Sequence, residues 1–317
     1  MEYAGSSVKK IYLKRFKPIV LIGKIIFLLS LCFVLLYPIL IMLSIAFRDG
    51  KEVFDPTVIW IPKTFSAKNF IYAFNKLEFP KVMLLSGFIC LTSTALQLIS
   101  CALAGYTFAR FKFKFKQVLF SILLLTIIVP PQIAAIPTYI NFISFDFFGV
   151  GSLLGLFGIN AKVNLIDSVS VYFLTAATGA GIRSGLVVFI FIQFFKGLPS
   201  ELEEAAGIDG CGRIQTFLRV ILPNTGTAIL TVSLFSVVWY WNDSFICTMY
   251  FNDFRTVSVT LQQAYVNLVH GSAAENMHDI IPQLQSAALI SIIPIVIIYI
   301  FLQKYFTSGI ETTGLVG

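Results

Sequence analysis

The sequence predicts an all-α polytopic membrane protein with six transmembrane helices and with both termini on the cytoplasmic side. Three observations lead there. Hydrophobic residues make up 57% of the chain, charged residues 12%, and mean hydropathy is +0.86, outside the range of soluble domains. Charge-free windows are long enough to cross about 30 Å of hydrocarbon as helix, which takes roughly 20 residues. Lys and Arg cluster beside particular windows, and such clusters mark the cytoplasmic face.

The windows run from Ile25 to Phe47, Val82 to Ala109, Gln117 to Phe145, Val220 to Asn242 and Ile280 to Gln303. A sixth, Ser168 to Phe195, is interrupted only by Arg183. Helices are expected because lipid offers no partner to a free backbone amide, and a closed barrel would show alternating segments of about ten residues. The first window is too long for the apolar core of a signal peptide and no small-residue cleavage site follows it. The expected organisation is a cytoplasmic segment 1–24, the first span 25–47, an extracellular segment 48–81, a five-helix core 82–303 that includes a polar loop 196–222, and a cytoplasmic tail 304–317.

Orientation follows from Lys9, Lys10, Lys14, Arg15 and Lys17 before the first span and from the basic loop Arg110 to Lys116 after the second. The segment Arg48 to Lys81 also carries basic residues, accompanied by Asp49, Glu52, Asp55 and Glu78; acidic residues weigh little in the rule. The formal charge of +7 flanks membrane windows, where anionic headgroups are the simple partner, so nucleic acid is not expected.

Other chemistries find no support. Cys32, Cys90, Cys101, Cys211 and Cys247 form no close pair, and the first three lie in spans, where a thiol acts as a small apolar group. His270 and His278 have no clustered ligands and read as loop residues, so no metal is expected. The chain contains no G-x-x-x-x-G-K-[ST] phosphate loop and no nucleophile–base set, so it is expected neither to bind ATP nor to catalyse. A gradient-driven carrier would place ionisable groups inside its spans; only Arg183 is there, with Asp243 at a span end. A partner is the expected energy source.

The polar stretch Ser200 to Asn224 is organised. Ser200-Glu-Leu-Glu203 fits a capping box, with a helix starting after Ser200 and Leu202, Ala205 and Ala206 on one face. Asp209-Gly210 supplies a turn that needs positive φ at the glycine. Ile214, Phe217, Leu218 and Ile221 have the spacing of one helical face, and Pro223 suits the first turn of the next span. Patterning alone leaves two readings: a hairpin lying on the membrane, or a contact site.

The spacing Glu204-Ala205-Ala206, three residues, Gly210, nine residues, Val220-Ile221-Leu222-Pro223 resembles the EAA loop of bacterial ABC importer permeases, E-A-A-x3-G-x9-I-x-L-P, with valine for the isoleucine. Further stretches resemble the carbohydrate branch, in particular the maltose-type second permease: Trp60-Ile-Pro-Lys63, Asn69-Phe70, Ala104 to Phe113, Trp241-Asn242-Asp243 for W-N-[ED], and the tail Tyr305 to Gly317. Gly207 and Cys211-Gly212 depart from the pattern, and the loop from Asp146 to Asp167 is long.

The resemblance implies a type I importer permease with a cytoplasmic coupling helix, in the plasma (inner) membrane of a prokaryote. It would form half of a channel with a second permease subunit. A sugar would arrive from an extracellular solute-binding protein, and two ATPase subunits, which hold the ATP and Mg, would drive the cycle. The ATPase-coupling residues would be Glu204, Ala205, Ala206, Asp209, Gly210, Leu222 and Pro223. A permease for another nutrient class would carry the same loop.

Residues of the substrate pathway are more open. Trp239, Tyr240, Trp241, Asn242 and Asp243 have the side chains to stack on and hydrogen-bond a sugar, and equally those of an interfacial belt. Arg183 lines an external cavity or snorkels outward. Pro130, Pro131 and Pro137 form a gate or a packing kink. The tail reaches towards the ATPase subunits or forms a disordered end.

Overall fold

A computed structural model of the chain describes residues 3–146, 149–155, 162–269 and 277–313. Among these the regular structure is helical, apart from one isolated antiparallel bridge between Phe145 and Val163. The chain forms two compact units, one from the residues up to Lys76 with Tyr265–Ile290, the other from Leu77–Ala264 with the chain from Ser291 onward.

In the first unit, α1 (Tyr3–Ala46) is continuous, and its stretch Val20–Ala46 is long and apolar enough to cross a membrane. The side chains from Val20 to Leu40 stand uncovered, which carries no hydrophobic penalty in lipid. Beyond Ala46 the helix needs partners for its last carbonyls. Asn69 Nδ2 donates to the carbonyls of Ala46 (2.9 Å) and Arg48 (2.7 Å). The buried Arg48 guanidinium donates to Ser44 Oγ (2.9 Å) and to the Ile59 carbonyl (2.7 Å). Asn69 belongs to α2 (Lys68–Lys76), so these bonds tie α2 to the end of α1. The intervening segment closes on the Glu52 carboxylate, which accepts from the amides of Lys63 and Thr64, each 3.0 Å. Lys63 and Thr57 hydrogen-bond Asp55 and hold its carboxyl well below the usual carboxylate range.

The second unit is built round α3 (Phe79–Arg110). Against it pack α7 (Ser170–Ala177), α8 (Ser184–Gly197) and α12 (Gly226–Trp241). Small residues let these helices approach: a Cβ on Gly105 would lie 2.6 Å from Phe191 Cβ. Around this contact Cys101, Tyr106, Phe191, Phe195, Phe217 and Ile221 form a buried core.

Three of the expected spans are broken. The Gln117–Phe145 window holds α4 (Lys116–Ile128), a 3-10 turn at Pro131–Ala134 and α5 (Ala135–Ile143), bent by 101°. Val129 is driven to extended backbone before Pro130, and two successive prolines remove two amide donors. The Ser168–Phe195 window is two helices, α7 and α8, parted at 178–183 where Gly179 (φ +74°) and Arg183 (φ +53°) take left-handed backbone. The last continuous helix of the fifth window is α12, which starts at Gly226; Val220 belongs instead to the helical segment Arg213–Asn224, bent from α12 by 78°. By length and composition, three helices can cross a membrane, and up to six if each bent pair counts as one span; α8 is paired in this count with Glu201–Ile208, at 74°, and not with α7.

The Asp146–Asp167 loop contains α6 (Val150–Gly155) and is pinned by the Phe145–Val163 bridge and by Leu165 N–H to Phe142 O at 2.8 Å. Asp146 accepts from Ser152 and from the amide of Gly151, which lowers its pKa. Residues 147–148 and 156–161 of this loop lie outside the described residues, as do His270 and 314–317. His278 lies edge-on against Phe54. The tail is helical through Thr313, at the end of α16 (Met277–Thr313).

Candidate functional site

The polar stretch folds as helix, turn and helix. α9 (Glu201–Ile208) carries Glu201, Glu203 and Glu204 in its first turn, where carboxylates oppose the positive end of the helix dipole. The expected capping box is not formed: Ser200 makes no side-chain cap bond, and its backbone is already helical. Glu203 turns instead to Arg110 at the end of α3, with Arg110 Nε and Glu203 Oε1 3.0 Å apart. A guanidinium at close range outcompetes a single backbone amide for a carboxylate. The same Arg110 donates to the Leu198 carbonyl at 2.7 Å, so it joins α3, the end of α8 and α9. Arg213 lies over the Phe111 ring at 5.2 Å.

The turn is as expected and more elaborate. Gly210 has φ +79°. Its amide donates to Gly207 O at 3.1 Å and the Cys211 amide to Ala206 O at 2.9 Å, the paired bonds of a Schellman motif. Gly210→Val is expected to strain this turn by about 1–2 kcal/mol, although nothing crowds the site. The purified chain should insert normally while α9 shows faster amide exchange; exchange unchanged at Ala206 to Cys211 would refute the effect.

The next segment departs from its expected pattern. Phe217 and Ile221 are buried, Phe217 against Tyr106 (ring centroids 4.9 Å), whereas Ile214 and Leu218 are 76% and 53% exposed. The four share one face in sequence, but the core lies on one side of it and covers only the 217/221 edge. Phe217–Ile221 forms a π-helical turn directly before Leu222 and Pro223. Pro223 has no amide to give, and the wider turn relieves its clash with the preceding one. Asn224 Nδ2 takes the Val220 carbonyl (2.7 Å) and Thr225 Oγ1 that of Leu222 (2.8 Å).

Of the residues expected to couple, Glu204, Ala205, Asp209, Gly210 and Pro223 are exposed, Leu222 is half-buried, and Ala206 is buried and anchors α9. Besides Glu204 and Ala205, Ile208 (88% exposed) on α9 and Ile214 and Leu218 after the turn are exposed. Sequence reasoning missed the Arg110–Glu203 pair; its signal was an arginine ending one helix and a glutamate opening another. The pair is little exposed, 15% and 26%. A double-mutant cycle of Arg110→Met and Glu203→Gln on thermal stability is expected to give a coupling of about 1–3 kcal/mol, and a value near zero would remove it as a strut.

The pathway candidates separate into two groups. Trp241 is buried and donates from Nε1 to Ser291 O at 3.2 Å. Asp243 accepts from Tyr172 OH at 2.5 Å and from the amides of Ile246 and Cys247, so it caps α13 (Phe245–Tyr250). Asn242 is exposed, with its amide on Val238 O of its own helix. Trp241 and Asp243 thus have partners within the fold. Arg183 and Trp239 come together: the guanidinium lies 5.1 Å from the indole centroid, and Trp239 stacks on Phe235 with an interplanar angle of 13°. Arg183 sits at the break between α7 and α8, whose freed carbonyls are met from α3. Gln97 Nε2 donates to Ile182 O (2.8 Å) and to Ser184 Oγ (2.9 Å), and Ser100 Oγ to Ala176 O (2.7 Å). Gln97, a polar residue inside an apolar window, was not singled out by sequence.

Known proteins resemble this chain along most of its length. AraQ of Halalkalibacterium halodurans, an arabinooligosaccharides transport system permease protein, is 27% identical over 292 residues, 90% of this chain and 93% of the relative. YtcP of Bacillus subtilis, a polygalacturonan/rhamnogalacturonan transport system permease protein, is 27% identical over 291 residues, 89% of this chain and 93% of the relative. The crystal structure of a bacterial ABC transporter involved in the import of the acidic polysaccharide alginate has a similar fold, with TM-score 0.70 and 20% identity over 92% of this chain and 98% of that one. The family described as binding-protein-dependent transport system inner membrane component matches residues 101–312, a stretch that holds the capped α9, its glycine turn and the proline-ended segment after it. This multi-pass helical chain, with that segment in place, belongs to the family of binding-protein-dependent transport system inner membrane components.

Proposed function

We propose that this permease forms half of the translocation pathway of an ATP-driven importer for a sugar or oligosaccharide, and that the segment from α9 to Pro223 receives the ATPase. The observation that carries the reading is the outer surface of that segment. Glu204, Ala205, Ile208, Ile214 and Leu218 are exposed on the two helical pieces joined by the turn at Gly210, with α9 strutted by Arg110. Apolar side chains beside a carboxylate fit a protein cleft with a cationic group better than they fit lipid, where the charge would be costly.

In this reading ATP and Mg stay with two partner ATPase chains, and this chain contributes no phosphate site. A second permease subunit completes the channel, and an extracellular solute-binding protein delivers the substrate at the plasma membrane of a prokaryote. The sugar class is supported by the relatives, which are named as transporters of arabinooligosaccharides and of polygalacturonan/rhamnogalacturonan. Leu222 and Pro223 hold the segment at its angle to α12, and Arg183 with Trp239 lies on the substrate's route; Trp241, Asn242 and Asp243 shape that route from behind.

The test is native mass spectrometry of the complex purified through this chain, followed by uptake into proteoliposomes. Recovery of two ATPase chains, one further permease and ATP-dependent sugar uptake is expected. Uptake that follows an ion gradient and needs no ATPase would replace the reading with a gradient-driven carrier. ATP-dependent uptake of a non-sugar would leave the coupling and change only the nutrient class.

A further inference from the structure

Arg183 is held in a manner that packing does not call for. It takes left-handed backbone at φ +53°, a conformation uncommon for a residue other than glycine, and one that persists where surrounding structure imposes it. What imposes it is Gln97. This fully buried side chain donates to Ile182 O and to Ser184 Oγ, the two neighbours of Arg183, and its own Oε1 has no partner among the described residues. The side chain of Arg183 is exposed and, among the described residues, no carboxylate forms an ion pair with it.

The 14 residues of α8 put Arg183 about 21 Å along the helix from Gly197, at a break within an otherwise charge-free apolar window. A charge there faces a polar route or a partner. The start of α8 adds electropositive amides at the same place, as in broken transmembrane helices that receive anionic substrate groups. Trp239, backed by Phe235, supports the guanidinium through its π-face. The in-plane N–H donors of Arg183 are without a partner among the described residues and suit a bidentate oxyanion, while the half-buried indole, packed on the core, holds the guanidinium in place.

We propose that Arg183 is the anion-receiving side chain of the pathway, and that the transported sugar carries a carboxylate. Gln97 is a positioning residue that fixes the direction of Arg183, and Trp239 is the platform that keeps it extended. The proposal rests on the importer reading and narrows its substrate to acidic sugars.

The experiment uses the assembled importer in proteoliposomes with three probes: trigalacturonate, its methyl ester and maltotriose. Wild type is expected to import trigalacturonate in preference to the ester. Arg183→Gln should lower that uptake about tenfold or more and erase the preference for trigalacturonate over its methyl ester, and Arg183→Lys should restore part of both. Gln97→Leu should raise KM for trigalacturonate at little cost to kcat. Preference for maltotriose or the ester, or full trigalacturonate uptake by Arg183→Gln, would overturn the proposal and leave the importer intact. No ATP-dependent uptake of any sugar would overturn the importer reading itself. A lipid phosphate is the other source of an oxyanion: if the loss in Arg183→Gln appears only in vesicles containing phosphatidylglycerol, and equally for all probes, the anion is the lipid and the proposal fails.

Discussion

Glu204→Lys is expected to abolish ATP-driven uptake while leaving the chain inserted and folded. Glu204 is exposed in the first turn of α9 and makes no ion pair with the described residues of its own chain, so its removal leaves nothing unsatisfied within the permease. Lysine keeps the helix-forming backbone and reverses the charge. It also places a cation at the positive end of the helix dipole, worth about 0.3–1 kcal/mol at an exposed site. That cost is too small to unfold α9, which Ala206 anchors and Glu203 ties to Arg110. The large effect arises only if a partner buries the carboxylate against a cation, where loss of one member costs about 2–5 kcal/mol. Reversal should therefore lower uptake by about a hundredfold or more and release ATPase subunits during purification. Unimpaired uptake by Glu204→Lys would sink the assignment of α9 as the coupling element, and Glu204→Gln, which keeps the shape, should fall between.

Gly105→Val carries the second large effect, and it acts on folding. The Cβ of any residue at position 105 would meet Phe191 Cβ at 2.6 Å, with Ile192 N and Phe191 C at 3.3 Å. Two of these are backbone atoms of α8, so no side-chain rotation relieves the clash, and α3 and α8 must separate. Overpacking costs about 1–3 kcal/mol and sometimes more. Here the contact also holds the core of Tyr106, Phe191, Phe195 and Phe217, on which the α9 segment rests. Loss of monodisperse protein on size-exclusion chromatography, or a sharply lowered Tm, is expected. Gly87 lies on the same helix, and a Cβ there would have nothing within 4 Å, so Gly87→Val supplies the control. Equal behaviour of the two variants would refute the close α3–α8 contact.

The features legible in the sequence are those that local chemistry determines. Long apolar windows give helices, Asp209-Gly210 gives a left-handed turn, and the E-A-A to L-P spacing gives the segment its family. Features that depend on a distant partner were not legible. Ser200 and Glu203 have the letters of a capping box, yet Arg110, far away in sequence, claims the glutamate. Ile214 and Leu218 have the spacing of buried residues, yet the core reaches only Phe217 and Ile221. The apolar window around Arg183 promised one span, but two positive-φ positions divide it, and Gln97 and Ser100 make the division tolerable by meeting its carbonyls. Trp241 and Asp243 read as substrate contacts or as an interfacial belt; their partners in the fold, Ser291 and Tyr172, are far away in sequence.

The π-helical turn at Phe217–Ile221 puts one residue of slack into the motif's nine-residue gap, because such a turn takes up one residue more than an α-helical turn. A residue deleted there would let the turn relax to ordinary helix with the flanking faces nearly kept. A residue deleted from the α-helical stretch Arg213–Thr216 would instead rotate every side chain before it by about 100° relative to Pro223, and α9 would swing round the helix axis with its sequence unchanged. Chains one residue shorter at the π turn should therefore substitute for this one in the same transporter, and chains shortened before it should not.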